Sequence, residues 1–393
     1  MAKVEPELKV IEGSRAVAEA VAVCRPDVIC AYPITPQTHI VAELAQIVAD
    51  GDLKSEYVNA DSEFSAASIV LGSSAAGARS YTSSSAQGIL LMNEVMYNIA
   101  GMRLPVVLAC ANRAVSAPLN IWNDHQDSFS VRDSGWIQMY AENNQEAADM
   151  HIQAFKIAED SDVMLPVMVC MDGFLITHTY EPVELYEQSL VDDFLPEFKP
   201  RYKLDPDDPL TFGSFAEPDK YMETRYILEK AVQGSSEVVE RVAKEFGEVF
   251  GRFDGDLIQT YRTDDADTVI VAMGSVVSTT KETIDGMREE GHKVGLVKLR
   301  VFRPFPKERL YEALKDAKRV AVVEKALSLG YGGILGPEMK AAFYGREKKP
   351  EICSFIAGLG GREITDETVR HIVDRAETAC PDEEFVGLRK EII

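Results

Sequence analysis

Residues 28–36 read VICAYPITP, an apolar strand followed by a turn with a proline on each side of Ile34-Thr35. This stretch opens a series of short apolar runs that alternate with amphipathic stretches. The pattern predicts strands at residues 28–32, 56–60, 79–83, 105–110, 137–141 and 167–171. It predicts helices at residues 37–49, 62–76, 88–100 and 144–158. Apolar strands separated by helices are typical of a parallel sheet covered on both faces, so we predict an α/β fold.

Three polar or stiffened segments each follow one of these strands. They are the turn at residues 32–36, the DSEF stretch at 61–64, and Asn112-Arg113. The carboxyl ends of parallel strands meet at the edge where open sheets bind ligands. Because proline stiffens a turn, the first segment also fixes Thr35. The three segments together predict a functional site at this edge.

Two residues of that edge also have a purely structural interpretation. Glu63 begins a predicted helix, where a carboxylate stabilises the positive end of the helix dipole. Arg113 enters a loop that offers acidic partners for an ion pair, namely Asp124, Asp127 and Asp133. Each structural interpretation is reasonable for its own residue. The presence of both residues at one edge of the sheet favours a functional role.

The remaining chain divides into a loop, a connector and a second α/β unit. Residues 112–132 show no periodicity and predict a long loop, a feature that is usually functional. Residues 181–218 are rich in Pro, Asp and Glu and predict a surface connector, while 219–250 have helical spacing and predict one or two helices. We place the domains at residues 1–180, 181–254 and 255–393.

The last domain repeats the alternation on a smaller scale. Its strands are predicted at residues 268–273, 293–299, 320–324 and 351–356. Its helices are predicted at residues 278–290, 307–317, 336–344 and 366–379.

Composition limits the classes of partner. The chain has 393 residues and a net charge of −23, which disfavours binding to nucleic acid and to anionic membranes. No apolar run reaches the roughly 20 residues that cross a bilayer. The charged start, MAKVEPELKVIEGS, is unlike a signal peptide. We therefore predict a cytoplasmic protein with no nucleic-acid or membrane partner.

The six cysteines and six histidines are scattered, without C-x-x-C or H-E-x-x-H spacing. Iron–sulfur clusters need grouped thiolates, so we predict no cluster and no metal site on this chain. Cysteines in the apolar strands are interpreted as buried thiols.

Common catalytic motifs are missing. The first strand ends without the G-x-G-x-x-G of a dinucleotide-binding fold, and no P-loop occurs. No G-x-S-x-G marks a serine hydrolase. The Ser83-Ser84-Ser85 run is interpreted as a cap of the following helix.

Several stretches together carry a family resemblance. YPITP (32–36), SEFSAASIVLGSSAAGAR (62–79), SSSAQGILLMNEV (83–95) and NRAVSAPLNIWNDHQDSFSVRDSGWIQMYAENNQEAAD (112–149) resemble the α subunit of pyruvate:ferredoxin oxidoreductases. These enzymes belong to the 2-oxoacid:ferredoxin oxidoreductase family. Later stretches fit as well, namely YRTDDAD (261–267), VFRPFP (301–306) and GLGGREIT (358–365). The resemblance covers nearly the whole chain in order.

The resemblance implies a shared active site. The first domain would be the pyrimidine-side thiamine diphosphate domain, and the last would resemble a transketolase C-terminal domain. A β subunit would bring the diphosphate, its Mg²⁺ and a nearby [4Fe–4S] cluster, and γ and δ subunits would complete the enzyme. Coenzyme A would be the co-substrate and ferredoxin the electron acceptor.

The resemblance also assigns roles. Glu63 would be the catalytic carboxyl at the pyrimidine N1′, and Thr35 and Arg113 would hold the carboxylate of the 2-oxoacid. The pyrimidine side would be lined by Tyr32, Pro33, Ile34 and the loop from Ser85 to Gln87. Asn123, Asp124 and His125 would either order their loop or contact a substrate.

The sequence fits such a division of labour. The diphosphate motif of thiamine enzymes ends in an asparagine metal ligand, and no asparagine occurs after Asn144. SAPLNIWNDHQDS is closest to the pyruvate type, so we expect oxidation of pyruvate to acetyl-CoA and CO₂. Alternatives are a 2-oxoisovalerate or 2-oxoglutarate enzyme, a self-sufficient thiamine enzyme of the transketolase kind, and a catalytically silent assembly subunit.

Overall fold

A computed structural model of the chain describes residues 7–393. The strands are β1 (Leu8–Glu12), β2 (Val28–Ala31), β3 (Glu56–Asn59), β4 (Ser80–Ser84), β5 (Val107–Asn112), β6 (Ile137–Tyr140), β7 (Val167–Asp172), β8 (Tyr180–Glu184), β9 (Ile258–Tyr261), β10 (Thr268–Ala272), β11 (Val294–Leu299), β12 (Val301–Arg303), β13 (Arg319–Glu324), β14 (Glu351–Ile356) and β15 (Glu384–Phe385).

The α-helices are α1 (Gly13–Val23), α2 (Thr38–Asp50), α3 (Glu63–Ala75), α4 (Ala86–Gly101), α5 (Gln126–Ser130), α6 (Asn144–Ala158), α7 (Gln188–Phe194), α8 (Pro218–Phe250), α9 (Val276–Glu289), α10 (Lys307–Leu314), α11 (Leu335–Phe343) and α12 (Asp366–Thr378). None of these helices is both long enough and apolar enough to cross a membrane.

The first sheet has seven strands in the order β12-β6-β7-β5-β4-β2-β3. All its pairings are parallel except that of β12. Strands β4, β5, β6 and β7 are buried along their whole length, as expected for a sheet covered on both faces. The predicted α/β fold is confirmed, and each of the six strands predicted for this part is present.

The second sheet has six strands in the order β15-β14-β13-β10-β11-β9. Strand β9 pairs antiparallel with β11, and the other pairings are parallel. The four strands and four helices predicted here are all present. The prediction omits the short strands β9, β12 and β15, whose partners lie far away in the chain.

The prediction also omits helix α1 and the two-stranded ribbon of β1 and β8. The connector is less irregular than expected, because it contains β8 and α7. Residues 219–250 form a single helix, α8, which begins with Pro218 in its first turn and ends at Gly251 in the left-handed conformation.

A buried ionic cluster joins the two sheets. Lys298 lies near the end of β11 and Arg300 directly follows that strand, and both side chains are 1% exposed. Lys298 Nζ lies 2.6 Å and Arg300 Nε lies 3.0 Å from the carboxylate of Glu146 on α6. Glu142 also accepts a hydrogen bond from Lys298, over 3.0 Å. Removing either cation would leave a buried carboxylate only partly compensated, which destabilises strongly.

The cysteines behave in two ways. Four are buried free thiols, as interpreted from the sequence: Cys24, Cys30, Cys110 and Cys170. The same interpretation is wrong for Cys353, because this residue of β14 forms a disulfide with Cys380, just beyond α12. Sequence spacing does not reveal the pair, since 27 positions separate the two residues.

Candidate functional site

The turn after β2 is held to the middle of the sheet by one buried glutamine. Gln37 is fully buried, and its side-chain oxygen accepts a hydrogen bond from the Ile34 N–H over 3.2 Å. Its amide nitrogen donates to the Ser83 carbonyl oxygen over 3.0 Å. The turn is therefore fixed against β4. Tyr32, Pro33 and Thr35 remain exposed at the surface of the edge.

Arg113 reaches this turn from the end of β5. Its Nη1 donates to the Thr35 carbonyl oxygen over 3.0 Å, and its Nε donates to the Asn120 carbonyl oxygen over 2.9 Å. The residue is only 7% exposed. Burial lowers the pKa of Arg113, and the nearby charge of Asp127 offsets part of that effect. The structure therefore brings two of the predicted site residues together.

The ion pair interpretation of Arg113 is wrong. No carboxylate in residues 7–393 forms an ion pair with the guanidinium, whose partners are neutral carbonyl groups. Asp127 accepts instead from the main-chain N–H of Arg113, over 2.9 Å. The geometry of the strand end directs that N–H, rather than the side chain, toward Asp127. An arginine bound only by carbonyl groups keeps its charge available for an anion.

Asp127 is a buried residue that connects two segments of the site. Its carboxylate also accepts from the Ala86 N–H over 3.0 Å and from the Asn112 side-chain amide over 2.8 Å. Burial raises the pKa of Asp127 to about 6, although these hydrogen bonds oppose the shift. This role of Asp127 was not predicted from the sequence. Its position in the long loop after β5 was the available signal.

Glu63 is the first residue of α3 and is only 7% exposed. The preceding Ser62 caps the helix, because its hydroxyl accepts from the Ser65 N–H over 3.1 Å. No hydrogen bond or ion pair within residues 7–393 engages the Glu63 carboxylate. Compensation of the helix dipole does not require this burial, since an exposed carboxylate in the first turn also compensates the dipole. A buried, unengaged carboxylate is instead suited to a ligand.

Gly88 allows helix α4 to approach that carboxylate. A Cβ atom at position 88 would lie 2.7 Å from Glu63 Oε1 and 2.3 Å from Ser84 Oγ. Both distances are shorter than real Cβ contacts, so the position accepts no side chain without movement. The structure thus places Glu63 beside the end of β4.

The serine run does not cap α4. Ser85 stands at the N-cap position but makes no side-chain capping bond, and its hydroxyl donates to the Ala111 carbonyl oxygen over 2.6 Å. The capping interpretation is therefore wrong. The extended conformation of Ser85 and the left-handed Ala86 turn the chain sharply into the helix. Beside this turn, Ser84 Oγ and Gln87 Nε2 are buried and have no hydrogen-bond partner among residues 7–393.

The loop that follows Arg113 contacts the segments that follow β13 and β14 of the second sheet. Asp124 accepts from the Gly360 N–H over 3.0 Å, and the His125 N–H donates to the Lys325 carbonyl oxygen over 2.8 Å. The His125 ring lies 2.8 Å from Asp172, whose other oxygen binds Lys325 over 2.9 Å. Asp124 and His125 thus order the loop. Asn123 is buried, and its side-chain oxygen has no hydrogen-bond partner within the range 7–393.

Two family models match the chain. The model described as "Pyruvate flavodoxin/ferredoxin oxidoreductase, thiamine diP-bdg" matches residues 19–244. The model described as "Pyruvate:ferredoxin oxidoreductase core domain II" matches residues 266–369. The first model alone covers more than half of the chain.

Curated relatives agree with these models. The chain is 49% identical to pyruvate synthase subunit PorA of Methanosarcina barkeri, over 98% of each chain. It is 50% identical to the PorA subunit of Methanothermobacter thermautotrophicus, over 98% of this chain and 99% of the relative. The ketoisovalerate oxidoreductase subunit VorA of Pyrococcus abyssi is 44% identical, over 95% of this chain and 94% of the relative.

Solved structures extend the likeness at the level of fold. A 2-oxoglutarate:ferredoxin oxidoreductase from Magnetococcus marinus, with 2-oxoglutarate, coenzyme A and succinyl-CoA bound, aligns with a TM-score of 0.73 at 19% identity. The alignment covers 94% of this chain and 65% of that longer chain. A split gene transketolase aligns with a TM-score of 0.56 at 14% identity, over 95% of this chain and 100% of that one. From its sequence and its two matching domain models, the chain belongs to the pyruvate:ferredoxin oxidoreductase family, whose thiamine diphosphate-binding domain it carries.

Proposed function

We propose that this chain is the α subunit of a pyruvate:ferredoxin oxidoreductase, which oxidises pyruvate with coenzyme A to acetyl-CoA and CO₂ and passes electrons to ferredoxin. Relatives named as pyruvate synthase subunits at 49–50% identity support the choice of pyruvate. The observation that carries the proposal is the guanidinium of Arg113, which forms no ion pair within the described residues and donates to the Thr35 carbonyl oxygen at the edge that also holds Glu63. Pyruvate presents the carboxylate that such an arginine recognises.

The residues beside Glu63 fit the aminopyrimidine of thiamine diphosphate. Ser84 Oγ and Gln87 Nε2 are buried, and neither atom, nor the Glu63 carboxylate, has a hydrogen-bond partner in the described part of the chain. Buried polar groups rarely remain without a hydrogen-bond partner in folded proteins. A polar ligand would supply partners for Ser84, Gln87 and Glu63. When bound, thiamine diphosphate supplies the nucleophilic carbon for the keto group and takes up the electrons that decarboxylation releases.

The role of this chain in the reaction is to hold and orient. Glu63 forms a hydrogen bond with N1′ of the pyrimidine and so holds a proton there. The low dielectric of the buried site strengthens this hydrogen bond. Arg113 and the Thr35 hydroxyl orient the 2-oxoacid carboxylate before it leaves as CO₂. The pyrimidine side is lined by Tyr32, Pro33, Ile34, Ser85 and Gln87.

We also propose that the chain divides into domains at residues 180 and 254.

Other subunits complete the enzyme in this proposal. A β subunit brings the Mg²⁺ and diphosphate site and a [4Fe–4S] cluster, and γ and δ subunits carry the remaining electron path. Met171-Asp172-Gly173 is one of the stretches of this chain nearest to the G-D-G of the diphosphate motif. Asp172 is bound by Lys325 and His125 and is not free for a metal, which supports the division. The cytoplasmic location remains a prediction.

The test uses the complex purified through a tag on this chain. We expect coenzyme A-dependent viologen reduction with pyruvate to exceed that with 2-oxoisovalerate and 2-oxoglutarate. The VorA relatives, at 44–45% identity, make 2-oxoisovalerate the specific second candidate. Preference for that acid would retain the mechanism and reassign the substrate. An intact, cluster-loaded complex without activity on all three acids would contradict the proposal.

A further inference from the structure

Two histidines and a glutamate meet at a place that the proposed function does not use. Glu12 ends strand β1, His39 lies in the first turn of α2, and His178 follows β7. His39 Nδ1 lies 2.6 Å from Glu12 Oε1, and the imidazole rings of His39 and His178 have centroids 4.4 Å apart and planes tilted by 31°. One ligand atom from each residue can be chosen so that all three lie within 4.8 Å of one another.

The surrounding main chain holds His178 and Glu12 in place. His178 Nδ1 lies 2.7 Å from Thr177 Oγ1, and that oxygen accepts from the Phe174 N–H over 2.8 Å. A second hydrogen bond of this kind orients metal-binding histidines and leaves the other ring nitrogen for the ion. The Thr177 carbonyl oxygen accepts from the buried Ser14, over 2.8 Å from its hydroxyl. Glu12 is fixed by the pairing of β1 with β8.

The third residue, His39, leaves the cluster open to ions. Its side chain is 50% exposed, whereas that of Glu12 is 18% exposed. An ion can therefore reach His39 Nδ1 and Glu12 Oε1 from solvent. A chain with a net charge of −23 also concentrates cations near its surface.

A comparison within the chain shows what is unusual here. His371 also pairs with a carboxylate, Glu384, over 3.3 Å, and its side chain is 51% exposed. Arg375 binds the same carboxylate over 2.8 Å, so a cation already occupies that position. At Glu12 the second neighbour is instead another imidazole, His178.

We propose that Glu12, His39 and His178 bind one divalent transition-metal ion of the zinc class, with a fourth position open to water or to a residue of a partner. Two imidazoles and one carboxylate suit Zn²⁺, Co²⁺ and Ni²⁺, whereas Mg²⁺ and Ca²⁺ prefer sites made only of oxygen. The site departs from the sequence expectation that the chain binds no metal. The ion links the β1–β8 ribbon to helix α2, which follows the turn that carries Thr35.

The test is metal analysis of the complex purified through this chain. The complex is treated with a chelator, loaded with Zn²⁺ and freed of excess ion. We expect one more zinc per copy of this chain in the wild type than in His178→Gln. The additional zinc should show nitrogen and oxygen ligands at about 2.0–2.1 Å in X-ray absorption. His371→Gln, at a matched histidine–glutamate pair, should retain the full zinc content.

A second variant protects the test from a folding defect. His39→Gln changes a half-exposed side chain, so it should leave assembly intact and still remove the ion. Equal zinc contents in the wild type and His39→Gln would overturn the proposal. A loss of zinc in His371→Gln as large as that in His39→Gln would overturn it as well, because the binding would then be nonspecific.

Discussion

The guanidinium of Arg113 donates to the main-chain oxygen of Thr35 over 3.0 Å, joining residues 78 positions apart. Asp127 fixes the same segment from the other side, through the main-chain N–H of Arg113. The arginine is thus held in place without being neutralised. This fixed, buried cation is the feature on which the proposed binding of a substrate carboxylate rests.

Replacing Arg113 by glutamine should therefore weaken substrate binding. Hydrogen bonds to charged groups contribute about 1.5–3 kcal/mol, so kcat/KM for pyruvate should fall by about 10- to 100-fold or more. Lysine at position 113 keeps the charge but loses the paired donors. The kcat/KM of Arg113→Lys should therefore lie between those of the wild type and Arg113→Gln. Steady-state kinetics of the complex measure this. Arg132→Gln is the control, since Arg132 also donates to a carbonyl, that of Phe129 over 2.7 Å.

Replacing Glu63 by glutamine should remove an acid–base group without disturbing the fold. Loss of one such group costs about 10²–10⁴-fold in rate, and we expect that loss in kcat. Bound thiamine diphosphate should be measured in the same samples, to separate chemistry from occupancy. Glu94→Gln changes an exposed glutamate of α4 and should leave the rate unchanged. Full activity in Glu63→Gln would favour the silent assembly subunit.

A methyl group at Gly88 should damage the site by displacing Glu63. The added Cβ would meet Glu63 Oε1 at 2.7 Å and Ser84 Oγ at 2.3 Å. We expect Gly88→Ala to lose activity and thiamine diphosphate binding. Gly72→Ala, in α3, meets nothing within 4 Å and should instead raise stability by about 0.5–1 kcal/mol. Normal cofactor content in Gly88→Ala would contradict the position given to Glu63.

Acid should destabilise the chain through His151. This ring is fully buried in α6, and burial lowers its pKa from 6.5 to about 4, although a hydrogen bond with the Ala147 carbonyl opposes the shift. Below pH 6.5, His151 takes up a proton in the unfolded chain but stays neutral in the folded chain until the pH approaches 4. The stability from neutral His151 is present above pH 6.5 and lost as the pH falls toward 4, about 3 kcal/mol in all.

His151→Gln should accordingly flatten the dependence of Tm on pH between about 6.5 and 4. Thermal unfolding of the wild-type and variant complexes measures the difference, because the other subunits contribute equally to both. Loss of ring packing lowers the Tm of the variant at every pH. His371→Gln controls for removing an exposed histidine. Parallel Tm curves for wild type and His151→Gln would show that this ring does not govern acid sensitivity.

Local pattern was enough to predict the fold class and most of the buried strands. Runs such as Val107–Asn112 and Val167–Asp172 are apolar and bounded by polar turns, so periodicity identifies them. The missed elements have little periodicity of their own. Strand β12 has three residues, and β1 is exposed or half-buried along its length. Each exists because of a distant partner, which a local pattern does not encode.

The site shows the same division. The alternation of strands and helices predicts which segments meet at one edge of the sheet. Thr35 and Arg113, predicted to lie at that edge, are in contact in the structure. The partner of the Arg113 side chain did not follow, because an ion pair with a nearby aspartate is the simplest expectation for an arginine in an acidic loop. Only the direction of the chain after β5 decides that Asp127 receives an N–H instead. The role assigned to Glu63 remains a prediction.

Strand β12 gives the chain an unusual order of assembly. Val301 pairs with Met139 of β6, so the outer edge of the first sheet is completed by residues made long after the rest of that sheet. During synthesis, β6 remains an open edge until residues 301–303 of the 393-residue chain have left the ribosome. An open edge invites pairing with another molecule. The connector is therefore a poor place to divide this gene, even though it looks like a boundary between two independent units.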